Sequence, residues 1–487
     1  MVEEEGPGAL GLIGGAARWT ASAVARQVTR AIGGKERTRV VVVLACVLGL
    51  SGADAATVGA SASALRSSLH INNTDIGLLV AVSSLVGAVA TLPFGILADR
   101  VRRTATLGGV IVLWGAAMFW SATVSDFGDL LLTRLFLGAV TAAAGPMVAS
   151  LVGDYFSSAE RGRIYGFILT GELLGAGFGF AVTGDIAALS WRAAFIILAL
   201  PAFALAWLVI RLPEPRRGSG GELSVHEDVA PPTDAPHETD AQRLARERGI
   251  EAHPDAVPVG DPARLGAIDA IRYVLRVRTN VILIASSALG YYFLAGVQTF
   301  GNEFEKQQYG VNQALANVLL LVIGIGAVGG TLLGGALGDI LLRHGRLTGR
   351  IWTAAIAATA TTVLFVPALF ARHAGSAVPY LMASVFALSA QNPPIDAARL
   401  DIMPAALWGR AEAVRTLVRS LLQALAPLLF GAVSDYVFGG GRSGLQWTFF
   451  VMLFPLGASA VLLFRAIGTY PRDVAAAASA PPPAARE

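Results

Sequence analysis

The sequence predicts an all-α membrane protein whose twelve transmembrane helices form two pseudo-symmetric six-helix bundles. Of the 487 residues, 54% are hydrophobic and only 15% are charged, so the chain carries more apolar side chain than a soluble core needs. Apolar stretches long enough to cross a hydrocarbon layer of ~30 Å recur from near Arg39 to near Arg465. An internal repeat relates the two halves, because the stretch 95–99, GILAD, has a counterpart at 335–339, GALGD.

Six spans are predicted in the N-terminal bundle, residues 39–211, and six in the C-terminal bundle, residues 279–467. At a rise of ~1.5 Å per residue, a helix of about 20 residues suffices for each crossing. The spans of the N-terminal bundle are 39–62, 75–98, 104–125, 127–153, 163–187 and 192–211. Those of the C-terminal bundle are 279–300, 313–341, 350–371, 376–403, 411–436 and 445–467.

Basic residues occur in every second loop between these spans. They are Arg100, Arg102, Arg103, Arg161, Arg163, Arg343, Arg346, Arg350 and Arg410. The intervening loops carry acids, such as Asp126 and Asp129 or Glu303 and Glu305. Because positively charged loops stay on the cytoplasmic side of a membrane, this pattern predicts a multi-pass protein of the cell inner (plasma) membrane with both termini in the cytoplasm. The net charge of +3 therefore follows the topology, and no nucleic-acid partner is expected.

Three segments lie outside the predicted bundles. Residues 1–38 form a cytoplasmic N-terminal segment with apolar residues at helical spacing, which predicts an amphipathic helix, with a flexible tail as the alternative. Residues 212–278 form a cytoplasmic linker, in which little fixed structure is expected up to about Gly266 and an interfacial helix after it. Residues 468–487 are expected to form a disordered cytoplasmic tail.

The sequence predicts no metal site and no cofactor. Three of the six histidines, His226, His237 and His253, lie in the linker, but they show no repeated ligand spacing, so a solvated linker is favoured over a metal site. The lone Cys46 excludes an intramolecular disulfide. No phosphate-binding loop is present, which argues against direct use of ATP.

Few ionisable residues lie deep in the predicted spans, where a charge costs roughly 2.5–3.5 kcal/mol. Asp54 in the first span and Arg134 in the fourth fall at nearly the same depth, and Glu172 in the fifth falls near the midplane. We interpret Asp54 as the main proton carrier, Arg134 as the partner of the deprotonated acid, and Glu172 as a second carrier or a substrate contact. The alternative is that Arg134 is a structural crosslink between helices and that no proton moves.

Polar and aromatic residues of the second half are candidates for the wall of a central cavity. They are Tyr291, Tyr292, Gln298, Asn317, Gln391, Asn392, Arg419 and Gln423. Arg415, Arg419 and Gln423 recur one helical turn apart, so they share a face that can meet an anionic headgroup. For Arg415 the favoured alternative is that its side chain reaches the cytoplasmic interface.

The loop after the second span resembles a known signature. Residues 95–103, GILADRVRR, resemble the signature loop of the major facilitator superfamily, with Arg102 in place of its usual glycine, and residues 191–195, WRAAF, are another frequent string of that superfamily. The resemblance implies the major facilitator fold, in which two bundles rock around a central cavity. It also implies a latch that breaks when the cytoplasmic side opens. By this resemblance the latch residues are Gly95, Asp99, Arg100, Arg103, Asp154, Arg161 and Asp339.

A narrower resemblance is to the spinster-like branch of lysophospholipid and sphingolipid transporters. It is carried by residues 134–138, 154–156, 160–163, 401–404 and 409–411, and by Pro427, Gly431 and Asp435. Two positions depart from the branch. Ala55 stands where the branch has an arginine after its first-span aspartate, and Thr141 stands where it has a fourth-span glutamate. The resemblance implies a lipid substrate.

These observations predict a proton-coupled secondary active transporter that moves an amphipathic small molecule, a lysophospholipid or related lipid, by alternating access and with the proton gradient as energy source. One alternative is a multidrug/proton antiporter that exports hydrophobic drugs, and another is a non-transporting membrane receptor or an uncoupled facilitator. No enzyme is expected, because the only hint of a hydrolase, residues 59–62 with His70 nearby, is explained by small-residue packing. The expected partners are the substrate, protons and membrane lipids, and a monomer is expected.

Overall fold

The structure, a computed structural model, describes residues 32–98, 101–156, 158–216, 239–258, 265–404 and 407–479, together with residues 29, 223, 260 and 262. In this part of the chain the regular structure is helical and contains no strand. Eleven of the described helices are long and apolar enough to cross a membrane. The helix at the tenth predicted span is 28 residues long, but Gln391, Asn392 and three prolines make it more polar than those eleven.

The N-terminal bundle contains six long helices, α1 to α6. Two of them are interrupted, since α4 breaks after Thr141 and α5 passes through a π-helical turn, Gly179–Thr183. The bounds are α1 Lys35–Ala60, α2 Asn73–Ala98, α3 Arg103–Thr123, α4 Phe127–Thr141 continued by Ala144–Tyr155, α5 Ser158–Phe178 continued by Gly184–Leu189, and α6 Trp191–Ile210. A short helix, Ala62–Leu69, which we call the outer helix, joins α1 to α2.

The C-terminal bundle contains six more long helices, α7 to α12. Their bounds are α7 Arg278–Tyr309, α8 Gln313–Arg343, α9 Gly349–Phe370, α10 Ala374–Asp401, α11 Trp408–Ala432 followed by a π-helical turn, Val433–Val437, and α12 Gly441–Ala478. A helix is present at Ala267–Arg276, where one is predicted before the seventh span. The helix predicted in the N-terminal segment before residue 29 lies outside the described residues.

The last helix continues into the segment predicted to be a disordered tail. That prediction is wrong for residues 468–478, which belong to α12. Tyr470 and Val474 are fully buried, and Asp473 accepts a hydrogen bond from the backbone N–H of Thr279 at 3.0 Å. Burial against the bundle stabilises a segment whose alanine-rich composition alone does not indicate packing. Residues 480–487 lie outside the described part of the chain.

The linker also has more structure than its composition predicts. Residues Asp240–Glu247 form a helix, which we call the linker helix, and a capping box between Thr239 and Gln242 starts it. Nε2 of Gln242 donates a hydrogen bond to the backbone carbonyl of Asp401 at 2.9 Å. The prediction of little fixed structure is therefore wrong for this part of the linker, because the helix docks on the C-terminal bundle.

The two bundles meet at the helix ends opposite the arginine-rich loops, which we call the outer ends. A Cβ atom on Gly77 of α2 would lie 2.2 Å from the backbone oxygen of Pro427 in α11, and one on Gly59 of α1 would lie 2.8 Å from that of Gln298 in α7. Such approaches leave no room for a side chain. The outer side of the molecule is therefore closed.

The four helices that flank the boundary between the bundles are the least buried of the eleven. Only 22% of the α2 span, 24% of α5, 22% of α8 and 28% of α11 is buried, against 39% to 61% of the other seven. Because their outer ends are in contact, we infer that part of the unpacked surface of these helices borders a gap between the bundles, which opens toward the arginine-rich face. This gap is where a ligand can reach both bundles.

Candidate functional site

Asp54 and Arg134, two of the charges inside the spans of the N-terminal bundle, form an ion pair. Nη1 of Arg134 in α4 lies 3.0 Å from Oδ1 of Asp54 in α1, and the two side chains are 2% and 9% exposed. A hydrogen bond between two ionised groups is about twice as strong as a neutral one, and a buried pair is little screened by salt. Arg134 therefore crosslinks α1 and α4.

The pair leaves part of the Arg134 guanidinium without hydrogen bonds. Its Nε and Nη2 atoms are buried with no partner among the described residues, and the group lies over the ring of Phe195 at 4.8 Å from the ring centre. An unpaired buried donor costs ~1–3 kcal/mol. The arginine thus retains unused donors beside the acid.

A polar cavity adjoins this ion pair. It has a volume of about 220 Å³ and is lined by both charged residues, by apolar residues such as Val58 and Leu79, and by five hydroxyl-bearing residues, Ser51, Ser83, Ser84, Thr91 and Thr141. Ser84 and Thr91 are exposed, so the cavity reaches the surface of α2. A polar cavity of this size has room for several water molecules. The buried acid consequently has a route to water.

Glu172 does not join this pair but faces the other bundle. It is exposed on α5, and the positive charge that acts on it is that of Arg419 in α11. The guanidinium of Arg419 lies 4.7 Å from the ring centre of Tyr291 in α7, and its Nε is buried without a hydrogen-bond partner in the described part of the chain. A negative and a positive side chain from different bundles are therefore near enough for their charges to interact.

Arg415 belongs to an ion network between α10 and α11. Its Nη1 lies 2.9 Å from Oδ1 of Asp396, and its Nε donates to Oε2 of Glu412 at 3.1 Å. Nη1 of Arg399 lies 3.0 Å from the same Glu412 oxygen, and a cavity of about 240 Å³ adjoins these side chains. Arg415 is 6% exposed, so the interpretation that it reaches the interface is wrong. Arg415 thus has two acids at ion-pair distance, whereas Arg419 interacts with Asp396 through its charge and has no acid at that distance among the described residues.

Three residues predicted to line the cavity wall are buried elsewhere. Tyr292 and Gln391 pack inside the C-terminal bundle, 7% and 0% exposed, and Tyr292 donates its hydroxyl to Sδ of Met452. Asn317 lies at the outer ends, where its Nδ2 donates to Oδ1 of Asp185 at 2.7 Å. The prediction is wrong for these three, because sequence does not fix which face of a helix turns to the gap. The other candidates are at least partly exposed, namely Tyr291, Gln298, Asn392, Arg419 and Gln423.

The predicted latch lies partly outside the described residues. Asp99 and Arg100 and the side chain of Arg161 are not described, and Gly95 lies near the end of α2. Arg103 is 1% exposed, and its Nη1 binds Asp154 at the end of α4. These contacts join the start of α3 to the end of α4 within the N-terminal bundle.

Glu214, just beyond α6, completes this cluster, although no motif predicts it. Its Oε1 accepts from Nε of Arg103 at 2.9 Å, and its Oε2 accepts from the hydroxyl of Thr104 at 2.7 Å. Burial alone would raise the pKa of Glu214, but hydrogen bonds from Thr104 and Arg103 outweigh burial and hold that pKa below its usual range. Glu214 is therefore a stable anion that fastens α6 to α3.

The C-terminal bundle has an equivalent cluster around Arg350, the first-turn arginine of α9. Its Nη2 lies 2.7 Å from Oδ1 of Asp339 at the end of α8, and its Nη1 binds Asp401 at the end of α10. Tyr470 of α12 donates its hydroxyl to the same Asp401 side chain. The predicted latch residue Asp339 thus has an arginine partner. The internal repeat points to this partner, because arginines follow the repeated stretch in both halves of the sequence.

A polar network joins the bundles at the outer ends around Asp435, a residue of the spinster-like resemblance whose contacts the sequence does not indicate. Oδ2 of Asp435, in the π-helical turn after α11, accepts hydrogen bonds from the backbone N–H of Thr74 at 2.7 Å and from its hydroxyl at 2.9 Å. Oδ1 of Asp435 accepts from Nδ2 of Asn73 at 3.1 Å. Arg66 of the outer helix forms an ion pair with Glu303 of α7. These bonds cross from one bundle to the other and so oppose opening of the outer side.

The described residues offer no cluster of three or more histidine, cysteine, aspartate or glutamate side chains suited to a metal ion.

Comparison with known proteins gives matches to named transporters. The chain is similar to the probable L-galactonate transporter of Escherichia coli (strain K12), with 31% identity over 147 residues, which cover 29% of this chain and 32% of that protein. It is also similar to protein spinster homolog 3 of Homo sapiens, with 32% identity over 157 residues, which cover 31% of this chain and 30% of that protein. Each match spans about a third of the relative's length.

Solved structures share the fold. The structure of a bacterial homolog of the human lysosomal transporter Spinster, in an inward-facing and unoccupied conformation, has a TM-score of 0.73 and 17% identity, and the match covers 90% of this chain and 98% of that one. This likeness confirms the predicted fold, and with the spinster relative it confirms the predicted resemblance. The Major Facilitator Superfamily matches residues 44–386. Most of the chain is thus accounted for by one family, and the chain belongs to the Major Facilitator Superfamily.

Proposed function

We propose that the chain is a proton-coupled secondary transporter that moves an amphipathic molecule with a charged headgroup, a lysophospholipid or related lipid, by alternating access. The observation that carries this proposal is the buried pair of Asp54 and Arg134 at the wall of a polar cavity. A charge in the membrane interior is costly, so it needs a partner or a purpose. Here the acid has both a partner and a route to water.

The ion pair provides a way to couple a proton to movement. Protonation of Asp54 from cavity water removes its negative charge, and the attraction that crosslinks α1 to Arg134 in α4 is lost. The outer end of α1 touches α7 through Gly59. A change in the packing of α1 therefore acts on one of the contacts that keep the outer side closed, and proton binding shifts the equilibrium between the two conformations.

The gap between the bundles favours a headgroup that carries both charges. Glu172 from α5 attracts a cationic group and Arg419 from α11 attracts a phosphate. The unpaired Nε of Arg419 supplies a further donor. Exposed apolar side chains on the boundary helices, such as Leu174, which is 71% exposed, provide surface for an acyl chain. A zwitterionic lysophospholipid meets all of these features.

An organic acid is the second candidate substrate. Two relatives carry the names of organic-acid transporters, the probable L-galactonate transporter of Escherichia coli and the 4-hydroxybenzoate transporter PcaK of Pseudomonas putida. Arg419 suits a carboxylate, but Glu172 repels one. The zwitterion is favoured because it satisfies both side chains.

Transport by the purified full-length chain in proteoliposomes tests the proposal. Lysophospholipid movement is measured as the fraction that albumin no longer extracts from the outer leaflet, with and without an imposed pH gradient, beside L-galactonate and a hydrophobic cationic dye. We expect the gradient to drive the lysophospholipid, and Asp54→Asn to reduce that movement to the level of empty liposomes. Asp129→Asn changes an exposed acid at the outer end of α4 and is the matched control.

Three outcomes of this assay would each contradict one part of the proposal. Equal movement with and without the gradient in the wild type would identify an uncoupled facilitator. Unchanged gradient-driven movement in Asp54→Asn would remove this residue from the coupling mechanism. Preference for L-galactonate or for the dye would replace the lipid with an organic acid or a drug as substrate.

A further inference from the structure

A groove on the arginine-rich face of the C-terminal bundle lies apart from the sites described above. It has a volume of about 630 Å³, within the ~300–1,000 Å³ that small-ligand sites occupy. It lies where the residues just after the linker helix meet the loop between α8 and α9 and the first turns of α9. The groove is thus built from the linker and the bundle together.

The charges on the groove are all positive. Arg248, which follows the linker helix, and Arg346, in the loop between α8 and α9, both line it and both are exposed. Arg248 also donates a hydrogen bond to the backbone carbonyl of Gly345, which holds the linker against that loop. None of the described residues that line the groove is acidic. The two guanidinium groups therefore have no acid within the groove to neutralise them.

The rest of the groove is apolar and continues toward the membrane span. Trp352 and Ile356 lie one turn apart on α9 and line the groove, and they are 43% and 58% exposed. The ring of Phe464 in α12 lies 5.7 Å from that of Trp352 and is itself 40% exposed. Tryptophan is enriched at the level of lipid headgroups. The groove consequently joins a cationic rim at the surface to an apolar face one turn into the bilayer.

We propose that this groove binds an anionic phospholipid of the adjacent leaflet, with its phosphate between Arg248 and Arg346 and an acyl chain along Trp352 and Ile356. Arginine binds phosphate oxygens with two parallel N–H donors, and the leaflet on the positively charged side of a membrane protein is rich in anionic lipid. The groove adjoins the N-terminal end of α9, where the helix dipole also favours a negative charge. The two arginines of the groove therefore suffice to balance the negative charge of the phosphate.

The bound lipid fastens the linker to the bundle. Arg248 belongs to the linker that connects the two bundles, and Arg346 belongs to the C-terminal bundle, so one phosphate bridges them. This site is separate from the gap that holds Glu172 and Arg419. It therefore stands whether or not the chain transports a lysophospholipid.

Binding of phosphatidylglycerol and phosphatidylcholine with the same acyl chains to the full-length protein tests the proposal. The number of lipids retained and their apparent affinity are measured by native mass spectrometry, and the thermal unfolding midpoint is measured at each lipid concentration. Each arginine at an anionic surface contributes about five-fold in affinity. We expect the wild type to bind phosphatidylglycerol more tightly, and the variant Arg248→Gln with Arg346→Gln to lose roughly 25-fold.

Two further variants separate this site from general surface charge. Arg243→Gln with Arg272→Gln removes the same charge from exposed arginines that are already paired with Asp240 and Asp269, so binding should be unchanged. Arg248→Lys with Arg346→Lys keeps the charge and should retain most of the headgroup preference. Equal binding of the two lipids by the wild type would overturn the proposal without any variant. Equal loss in the Arg243 and Arg272 variant would overturn it as well.

Discussion

In the N-terminal bundle the buried charges Asp54 and Arg134 form one isolated pair, whereas in the C-terminal bundle two arginines and two acids of α10 and α11 form a network. Arg134 has Asp54 as its one ionic partner among the described residues. Arg415, in contrast, shares two acids with a second arginine. An isolated pair responds to the loss of a single charge, while a shared network tolerates it.

This difference suggests that the two bundles have different roles in transport. The pair in the N-terminal bundle borders a polar cavity, and this position suits reversible protonation of Asp54. The network in the C-terminal bundle neutralises Arg415 and leaves Arg419 facing Glu172, which suits a ligand. Under the function proposed here, the first bundle senses protons and the second binds the headgroup. Three experiments test this contrast, beyond those already described.

The largest effect is expected for removal of the arginine of the isolated pair. Arg134→Gln leaves Asp54 buried without an ionic partner, which costs ~3–5 kcal/mol. Arg415→Gln should cost less, because Arg399 stays 3.0 Å from Glu412. The unfolding midpoints of the two variants in detergent measure the difference.

A double variant provides the control for this comparison. Asp54→Asn combined with Arg134→Gln removes both charges, so most of the stability lost in Arg134→Gln should return. Equal destabilisation by Arg134→Gln and Arg415→Gln would show that the pair and the network do not differ. Failure of the double variant to recover would show that the arginine acts through packing against Phe195 instead.

The next effect concerns the ligand side of the comparison. Arg419→Gln should weaken binding of a phosphate-bearing lysophospholipid by roughly ten-fold or more, because a hydrogen bond to a charged group is worth ~1.5–3 kcal/mol. Arg419→Lys should lose less, since the charge is kept. Glu172→Gln should instead favour purely anionic ligands over zwitterionic ones. Apparent affinities from the proteoliposome assay measure all three, and unchanged affinity in Arg419→Gln would exclude it from the ligand site.

The fold was largely predictable because a bilayer imposes simple requirements. Each crossing needs about 20 apolar residues, and loop charges fix the alternation. The linker helix and the end of α12 were not predictable, because Gln242 and Asp473 stabilise them through contacts far along the chain, with Asp401 and Thr279. Composition describes a segment by itself and does not show which surface it packs against.

The candidate site, like the fold, was predictable from the sequence only in part. Asp54 and Arg134 stood out in sequence because buried charges are rare and their depths could be counted. Tyr292 and Gln391 were misplaced, because the rotation of a helix about its axis depends on its neighbours. Glu214 was missed, and Asp435 was named only as part of a resemblance, without its contacts, because these residues bind partners 111 and 361 residues away and no local pattern marks such contacts.

The smallest expected effect concerns the outer ends, which both bundles share. Asp435→Asn weakens hydrogen bonds to Asn73 and Thr74 across the boundary, at ~0.5–1.5 kcal/mol each. The ratio of the conformation with a closed outer side to the one with an open outer side should therefore fall about five-fold. Distances between spin labels on the outer loops measure this ratio. The labels are placed in a background where Cys46, the lone cysteine, is replaced by serine. Asp126→Asn is the matched control, because Asp126 caps α4 within a single bundle and accepts from the backbone of Asp129. If both variants shift the distances alike, closure depends on general outer charge; if neither does, the packing of Gly77 against Pro427 suffices to hold the outer side closed.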